Sequence, residues 1–516
     1  MKKLLINSII VGALFSSCGL TEEPVGVLNE DSALNTLENI VKYRNGFYNC
    51  LRSTTAGAFI GYTEIQADMF IGLSNNGNNY GIISLGNIGS ETTDLTGAWS
   101  SPYAYIQAVN YFLPYVEERI ASDEISDEEK IELTRYRGEA KWTRAYLYYF
   151  LADHYCQSYT LENVDGEATG LPIVTVYDPS GDYATYPGRS TLRETFAQID
   201  QDLNEAYDDL MVYENTLTLP QKMSLRSPNA YYLNTCIVSA FQARIALLEG
   251  DYATAIDKAK IVLSNTNYSL ATVSNYSQLW TNDQGKELLF VLYGDQGQAS
   301  GVPATGTIWL SNTYNPETAW YVPTANALKM YDAENDVRYE AFFEERSLNI
   351  EGDYYYAPCF VKFPGNPSLD VTSTTSYKNL PKPFRLSETY LILAEAYAAT
   401  SDETNANKYL NTLRKNRIRN YTEETYSGPV LVNEIREERA KELIGEGFRI
   451  SDLRRWKLGF SRSIDYPSEY SDVADIIVPA GAAVTYPVGD HKYVWPIPKD
   501  EMEANPQIAS QQNPGY

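Results

Sequence analysis

The chain of 516 residues carries a formal net charge of −26, with 44% hydrophobic and 21% charged residues. That length suits about two to four ordinary domains or one large helical array with a sizeable core. The acidic balance excludes phosphate-driven nucleic-acid binding and electrostatic adhesion to an anionic membrane.

At the N-terminus Lys2 and Lys3 precede an apolar run from Leu4 to Phe15, then Ser16, Ser17 and Cys18. A basic start, a short apolar run and small residues before a cut describe a secretory signal peptide over residues 1–17. The run is too short for a membrane span, which needs about 20 apolar residues. Phe-Ser-Ser-Cys resembles a lipobox, with Phe15 where an aliphatic residue is usual, so Cys18 is the expected lipidation site. The alternative is ordinary cleavage with an unmodified Cys18. Glu22 and Glu23 follow in a tether that fills residues 18–30. Cys50, Cys156, Cys236 and Cys359 are widely spaced with no clustered histidine, which argues against a zinc site; Cys50, Cys156 and Cys236 read as buried thiols.

Ser32 to Leu51 reads as a first amphipathic helix. Ala67 to Thr96, rich in Asn, Gly, Ser and Thr, lacks helical periodicity and reads as a long loop, a class disproportionately functional. Trp99, Tyr103, Ile106 and Asn110 resume helical spacing. Thr134 to Tyr159 is a helix with small Ala140, Ala145 and Ala152 beside bulky Trp142, Tyr146, Tyr149 and Phe150; its His154 reads as structural. After a Gly/Pro/Tyr-rich connection, Leu192 to Leu210 is helical again.

An internal repeat follows. Ser239 to Leu263 looks like a tetratricopeptide unit, with Ala243 and Ala246, a turn at Gly250–Asp251–Tyr252, then Ala255 and Ala259. Thr389 to Arg414 repeats it, with Ala394, Ala406 and Leu410 in the places of Ala243, Ala255 and Ala259. Small residues at helix crossings with a short turn are what stacked helix pairs require. Between the repeats, Tyr268 to Leu380 is aromatic and turn-rich, with strand-like runs at Glu287–Leu292 and Tyr354–Phe363.

Asn433 to Gly459 is a mixed-charge helix broken at Gly445 and Gly447 and followed by Phe448, Leu453 and Trp456. Glu438 and Glu442 admit two readings, a pair of functional acids or metal ligands, and a salt-bridge network at a buried edge. A di-metal bundle site also needs Glu-x-x-His motifs, and the two histidines of the chain lie in none. The network is the expectation. The recognisable nucleophile-elbow, phosphate-loop, dinucleotide and zinc-protease motifs are missing too.

The run ER-x-x-EL-x-GEG-x-R-x-x-DL-x-RW, from Glu438 to Trp456, resembles the C-terminal signature of the SusD/RagB family. The helix at Thr134–Tyr159, Asp336 with Arg338, and the Val494–Tyr516 tail around Trp495 resemble further family elements. The resemblance implies an all-α fold of about four tetratricopeptide-like helix pairs, with an irregular aromatic-rich insertion containing short strands. It implies a SusD-like region over 31–220 and a RagB/SusD region over 221–516, packed as one unit. It also implies a lipoprotein of the outer-membrane surface, bound to the membrane by its anchor alone. Such a protein captures oligosaccharide as a lid on a TonB-dependent, SusC-like transporter, without catalysis and without a cofactor. The rivals are a peptide-binding adaptor and, less favoured, a surface glycoside hydrolase, whose paired carboxylates can be distant along a chain.

Sugars offer apolar C–H faces ringed by hydroxyls, so their sites combine aromatic platforms with amides or carboxylates. The 43 tyrosines against 16 phenylalanines suit such half-exposed surfaces. Two non-repeat segments supply the candidates. One is the polar loop with Asp68, Asn75, Asn76, Asn78 and Asn79, leading to Trp99. The other is the insertion with Trp280, Tyr293, Trp309, Tyr314 and Trp320, of which Trp320 is foremost. Trp142, Trp456 and Trp495 belong to the core.

Overall fold

The computed structural model describes residues 33–74, 79–311, 318–350, 352–372 and 374–516. The chain falls into two units, Met1–Asn45 and Gly46–Tyr516. In the first, the described residues include the opening turns of the helix Leu37–Thr54.

The second unit is built from packed helices. Thr93–Ala121, Asp127–Tyr155 and Leu192–Thr216 lie side by side, and the second and third start where a polar side chain satisfies a free amide. Ser126 accepts from the Glu129 amide, and Thr191 forms a reciprocal box with Glu194. The first of these helices begins six residues ahead of Trp99 and runs through Pro102 and Pro114, since each proline removes only one ladder bond and the flanking turns are buried. Asn110, Arg144 and Asp202 tie the three together: Arg144 grips both carboxylate oxygens of Asp202 at 2.8 and 2.7 Å and donates to Asn110 at 2.8 Å.

The repeat folds as two helix pairs, Thr235–Glu249 with Tyr252–Leu263 and Leu386–Ala399 with Glu403–Lys415. Gly250 ends the first helix with φ 76°, a left-handed angle that glycine adopts without steric cost, and Asp251 caps the next. Ala243, Ala255 and Ala259 share one buried cluster with Ala394, Ala406 and Leu410, so the small residues sit at the crossings as their spacing predicts.

The insertion contributes short antiparallel pairs: Leu288–Phe290 with Phe384–Arg385, and the hairpin Phe343–Ile350 with Asp353–Phe360. These strands fall within or beside both expected runs. Cys50, Cys156, Cys236 and Cys359 are free and buried. Trp142 and Trp495 are buried among other rings, and Trp456 donates its indole N–H to Glu395.

Glu438 and Glu442 lie in an ion-pair network that is deeper than an edge. Arg338 and Arg414 each donate to Glu438 at 2.7 Å; Arg385 and Arg417 each reach Glu442 at 2.9 Å. Arg417 continues to Glu287, and Arg338 to Asp336. All of these side chains are at most 6% exposed. Burial pushes the Glu438 carboxyl up, but Arg338 and Arg414 outweigh it and hold it at about 2. Glu442 is likewise held well below the usual range by Arg417 and Arg385 against its burial. Neither carboxyl has the raised pKa of a proton donor.

Candidate functional site

The two non-repeat segments named by the sequence meet in space. Phe70–Gly72 pairs antiparallel with Tyr321–Pro323, in the register Phe70↔Pro323, Ile71↔Val322 and Gly72↔Tyr321. The Leu73 amide extends the ladder to the Trp320 carbonyl at 3.0 Å. The Tyr321 hydroxyl donates to the Asn79 carbonyl at 2.5 Å, and the Thr324 hydroxyl to the Asp68 carbonyl at 2.8 Å. Every strand residue of this pair is buried, so it is a rigid base from which the polar loop and the insertion emerge.

The base is fastened to the C-terminal signature. Arg449 binds both oxygens of Asp68 at 2.7 Å. Glu64, wholly buried, accepts the amides of Gly445 at 3.0 Å and Gly447 at 2.7 Å. Both glycines have positive φ, 80° and 88°, and a Cβ on Gly445 would stand 2.8 Å from the Phe360 ring. Burial raises the Glu64 carboxyl to about 7, more than these amides and Lys362 lower it.

On this base Trp320 is half-buried and packed against the core. Asn79 is exposed, and Tyr80 lies half-exposed with its ring 4.9 Å from that of Tyr62. Tyr293 is 44% exposed and stands on a different sheet edge, following Leu288–Phe290. Its ring meets the equally open Tyr231 edge-on at 5.0 Å, and its hydroxyl donates to Asp295 at 2.9 Å. Tyr231 escaped the sequence reading; its signal is a tyrosine pair, Tyr231–Tyr232, in a Pro/Asn stretch ahead of a helix.

Four of the expected ligand contacts serve packing or pairing instead. Trp99 is 1% exposed against Tyr103 and Tyr155. Trp309 is 1% exposed, enclosed by Phe70, Phe360 and Phe363. Trp280 is 2% exposed, with the Lys362 ammonium 4.3 Å from its ring centroid. The insertion folds over its own aromatic core, and a ring already in van der Waals contact on its faces has none to offer a sugar. Asp68 is the fourth, its carboxylate committed to Arg449. Asn75, Asn76, Asn78, Tyr314 and Cys18 lie outside the described residues.

A cleft of about 330 Å³ opens elsewhere in the insertion, with Glu340, Glu344, Arg346, Thr281 and Tyr377 in its wall. A smaller pocket of about 70 Å³ lies at the signature turn, where Tyr149, Asp153 and Arg244 stand among the apolar Phe150, Phe363 and Phe448.

Residues 306–516 match the model of the SusD family, and residues 28–225 match a SusD-like family described as starch-binding and associating with the outer membrane. The chain belongs to the SusD/RagB family. Solved structures share its fold. A SusD superfamily protein from Bacteroides thetaiotaomicron superposes with a TM-score of 0.74 at 24% identity, covering 93% of this chain and 100% of that one. A SusD-like carbohydrate-binding protein from Bacteroides vulgatus gives 0.70 at 20% identity, over 92% and 97% of the two chains. A laminarin-binding SusD-like protein gives 0.66 at 20% identity, over 93% and 99%. No curated protein matches the sequence. This SusD/RagB chain has its matched regions on both sides of the strand pair that joins Phe70–Gly72 to Tyr321–Pro323.

Proposed function

We propose that this protein is a cell-surface lipoprotein that captures an oligosaccharide and presents it to a partner TonB-dependent outer-membrane transporter. The observation that carries the ligand site is Trp320, a half-buried ring beside the rigid strand pair where the polar loop and the insertion converge. Asn79 is tied to the same strand pair through the Tyr321 hydroxyl, and Tyr293 with Tyr231 forms an exposed aromatic pair. The match to a family described as starch-binding and the likeness to a laminarin-binding protein support a glucan among the first ligands to try.

Residues 1–17 would be removed as a signal peptide, with Cys18 lipidated and residues 18–30 serving as a tether to the body of the protein. No described helix is long and apolar enough to cross a membrane, which accords with attachment through a lipid. The helix pairs offer an extended face for the transporter and leave the insertion for ligand.

The test is a glycan panel that includes starch oligosaccharides and laminarin. Retention without turnover is the expected result. Turnover would support a hydrolase, and indifference to every sugar would favour a peptide adaptor.

A further inference from the structure

Four buried residues at the signature turn each hold a polar atom without a partner among the described residues. The Tyr146 and Tyr149 hydroxyls stand one turn apart on Asp127–Tyr155, and neither makes a hydrogen bond there. Nor does the Thr305 hydroxyl, in the short turn Thr305–Ile308 of the insertion. Arg244, on Thr235–Glu249, spends Nε and Nη2 on the Glu388 carboxylate and the Pro383 carbonyl, each at 2.7 Å, and leaves Nη1 unused. All four residues are at most 9% exposed. The orphaned Nε2 of neighbouring His154 is sealed from water-sized space, whereas none of these four atoms is.

All four residues line the pocket of about 70 Å³, which among the described residues neither Trp320 nor the polar loop borders. That volume holds about five waters, the room of one sugar ring rather than two. The charges in its wall are already matched: Arg244 by Glu388, Lys382 by Asp283, Glu446 by Arg385 and Asp153 by Arg454. The pocket thus offers hydrogen bonds without an unpaired charge. Ile60, Phe150 and Phe448 add an apolar wall. Burial pushes both tyrosine hydroxyls up, so they stay protonated near neutral pH.

We propose that this pocket binds a single neutral hexose, free or at the end of a chain, separately from the surface at Trp320. A sugar hydroxyl can accept from Arg244 and can both donate to and accept from the Tyr146, Tyr149 and Thr305 hydroxyls. A carboxylate only accepts and an ammonium only donates. Either ion would also give up its water in a wall whose charges are already paired. Water is the competing occupant; it satisfies the polar atoms but gains nothing from Ile60, Phe150 and Phe448, against which the C–H groups of a sugar ring can pack. The proposal rests on the glycan reading only for the source of the hexose.

Ligand-observed NMR titration of the full chain with glucose, galactose, mannose and their methyl glycosides tests it. Wild type should bind at least one of the three hexoses. Tyr146→Phe and Tyr149→Phe combined should bind that sugar about tenfold more weakly, since two neutral hydrogen bonds are lost. The same double variant should melt no lower than wild type, because its hydroxyls have no protein partner to lose. Thr305→Val should weaken binding several-fold, and Trp320→Ala should leave it unchanged. A methyl glycoside that binds as well as its parent hexose identifies a chain end as the ligand, and binding of the parent alone identifies the free sugar. The proposal is overturned if wild type binds none of the hexoses, if the double variant binds as wild type does, or if it melts well below wild type. Wild type that retains starch oligosaccharides or laminarin but ignores every hexose would strike the pocket and leave the glycan reading standing. Hexose binding without oligosaccharide retention would do the reverse.

Discussion

Arg449 holds Asp68 through both guanidinium arms at 2.7 Å, across 381 positions of sequence. The pair locks the root of the polar loop to the signature turn, with side chains 16% and 13% exposed. Arg449→Ala would leave Asp68 largely buried and uncompensated, and should cost about 3 kcal/mol of unfolding free energy. Denaturant titration measures this; a loss under about 1 kcal/mol would show that solvent replaces the arginine.

The deeper network predicts a larger effect. Glu442 is shared by Arg385 and Arg417, so Glu442→Ala strands two buried guanidiniums at once. A loss of about 3–5 kcal/mol is expected. Glu437→Ala, on the exposed side of the same helix, should change stability by less than about 0.5 kcal/mol.

Stability should peak near pH 5, with two different limbs. Glu438, buried, and Glu395, partly buried, are held at about 2 in the folded chain by arginines that outweigh burial. Their folded pKa is depressed, so the stability they supply is complete above the ordinary 4.5 and is lost as pH falls toward 2. Glu64 runs the other way: burial raises it to about 7, so the folded chain holds a proton that the unfolded chain has released. Stability therefore declines as pH rises from about 4.5 to 7. Glu249, raised to about 8 by burial and by Asp200, adds to that decline. Denaturation midpoints between pH 3 and 8 read both limbs. Glu64→Gln should flatten the neutral one, and an unchanged slope would remove Glu64 as its cause.

Trp320 and Trp309 separate recognition from packing. Trp320→Ala should keep the fold and lose about tenfold in affinity for a glycan that wild type binds, from a stacking contribution of about 1–3 kcal/mol by analogy with base–aromatic stacking. Trp309→Ala empties a site enclosed by three rings and should cost about 3–5 kcal/mol of stability. Melting curves beside calorimetry distinguish them. Unchanged binding by folded Trp320→Ala would move the ligand to Tyr231 and Tyr293.

Cys18→Ala should release the protein from the outer membrane or leave it mislocalised. Fractionation with mass spectrometry of the mature N-terminus decides this, and an intact, unmodified Cys18 in membrane-bound wild type would count against lipid anchoring.

The helix pairs, the alanines at their crossings and the core roles of Trp142 and Trp495 are readable in the sequence, because helical periodicity and small-residue spacing are local properties. So is the network character of Glu438 and Glu442, since arginines crowd the same signature and histidine ligands are missing. Its depth was not readable, because Arg338, Arg385 and Arg417 arrive from three separate segments. Nor was the facing of the insertion's rings. Trp280, Trp309 and Trp320 look alike in a turn-rich stretch without periodicity, yet two are sealed inside and one is half open. Which ring faces solvent is set by residues far along the chain, Phe70 and Phe360 for Trp309 and Lys362 for Trp280, and only tertiary contact brings them there.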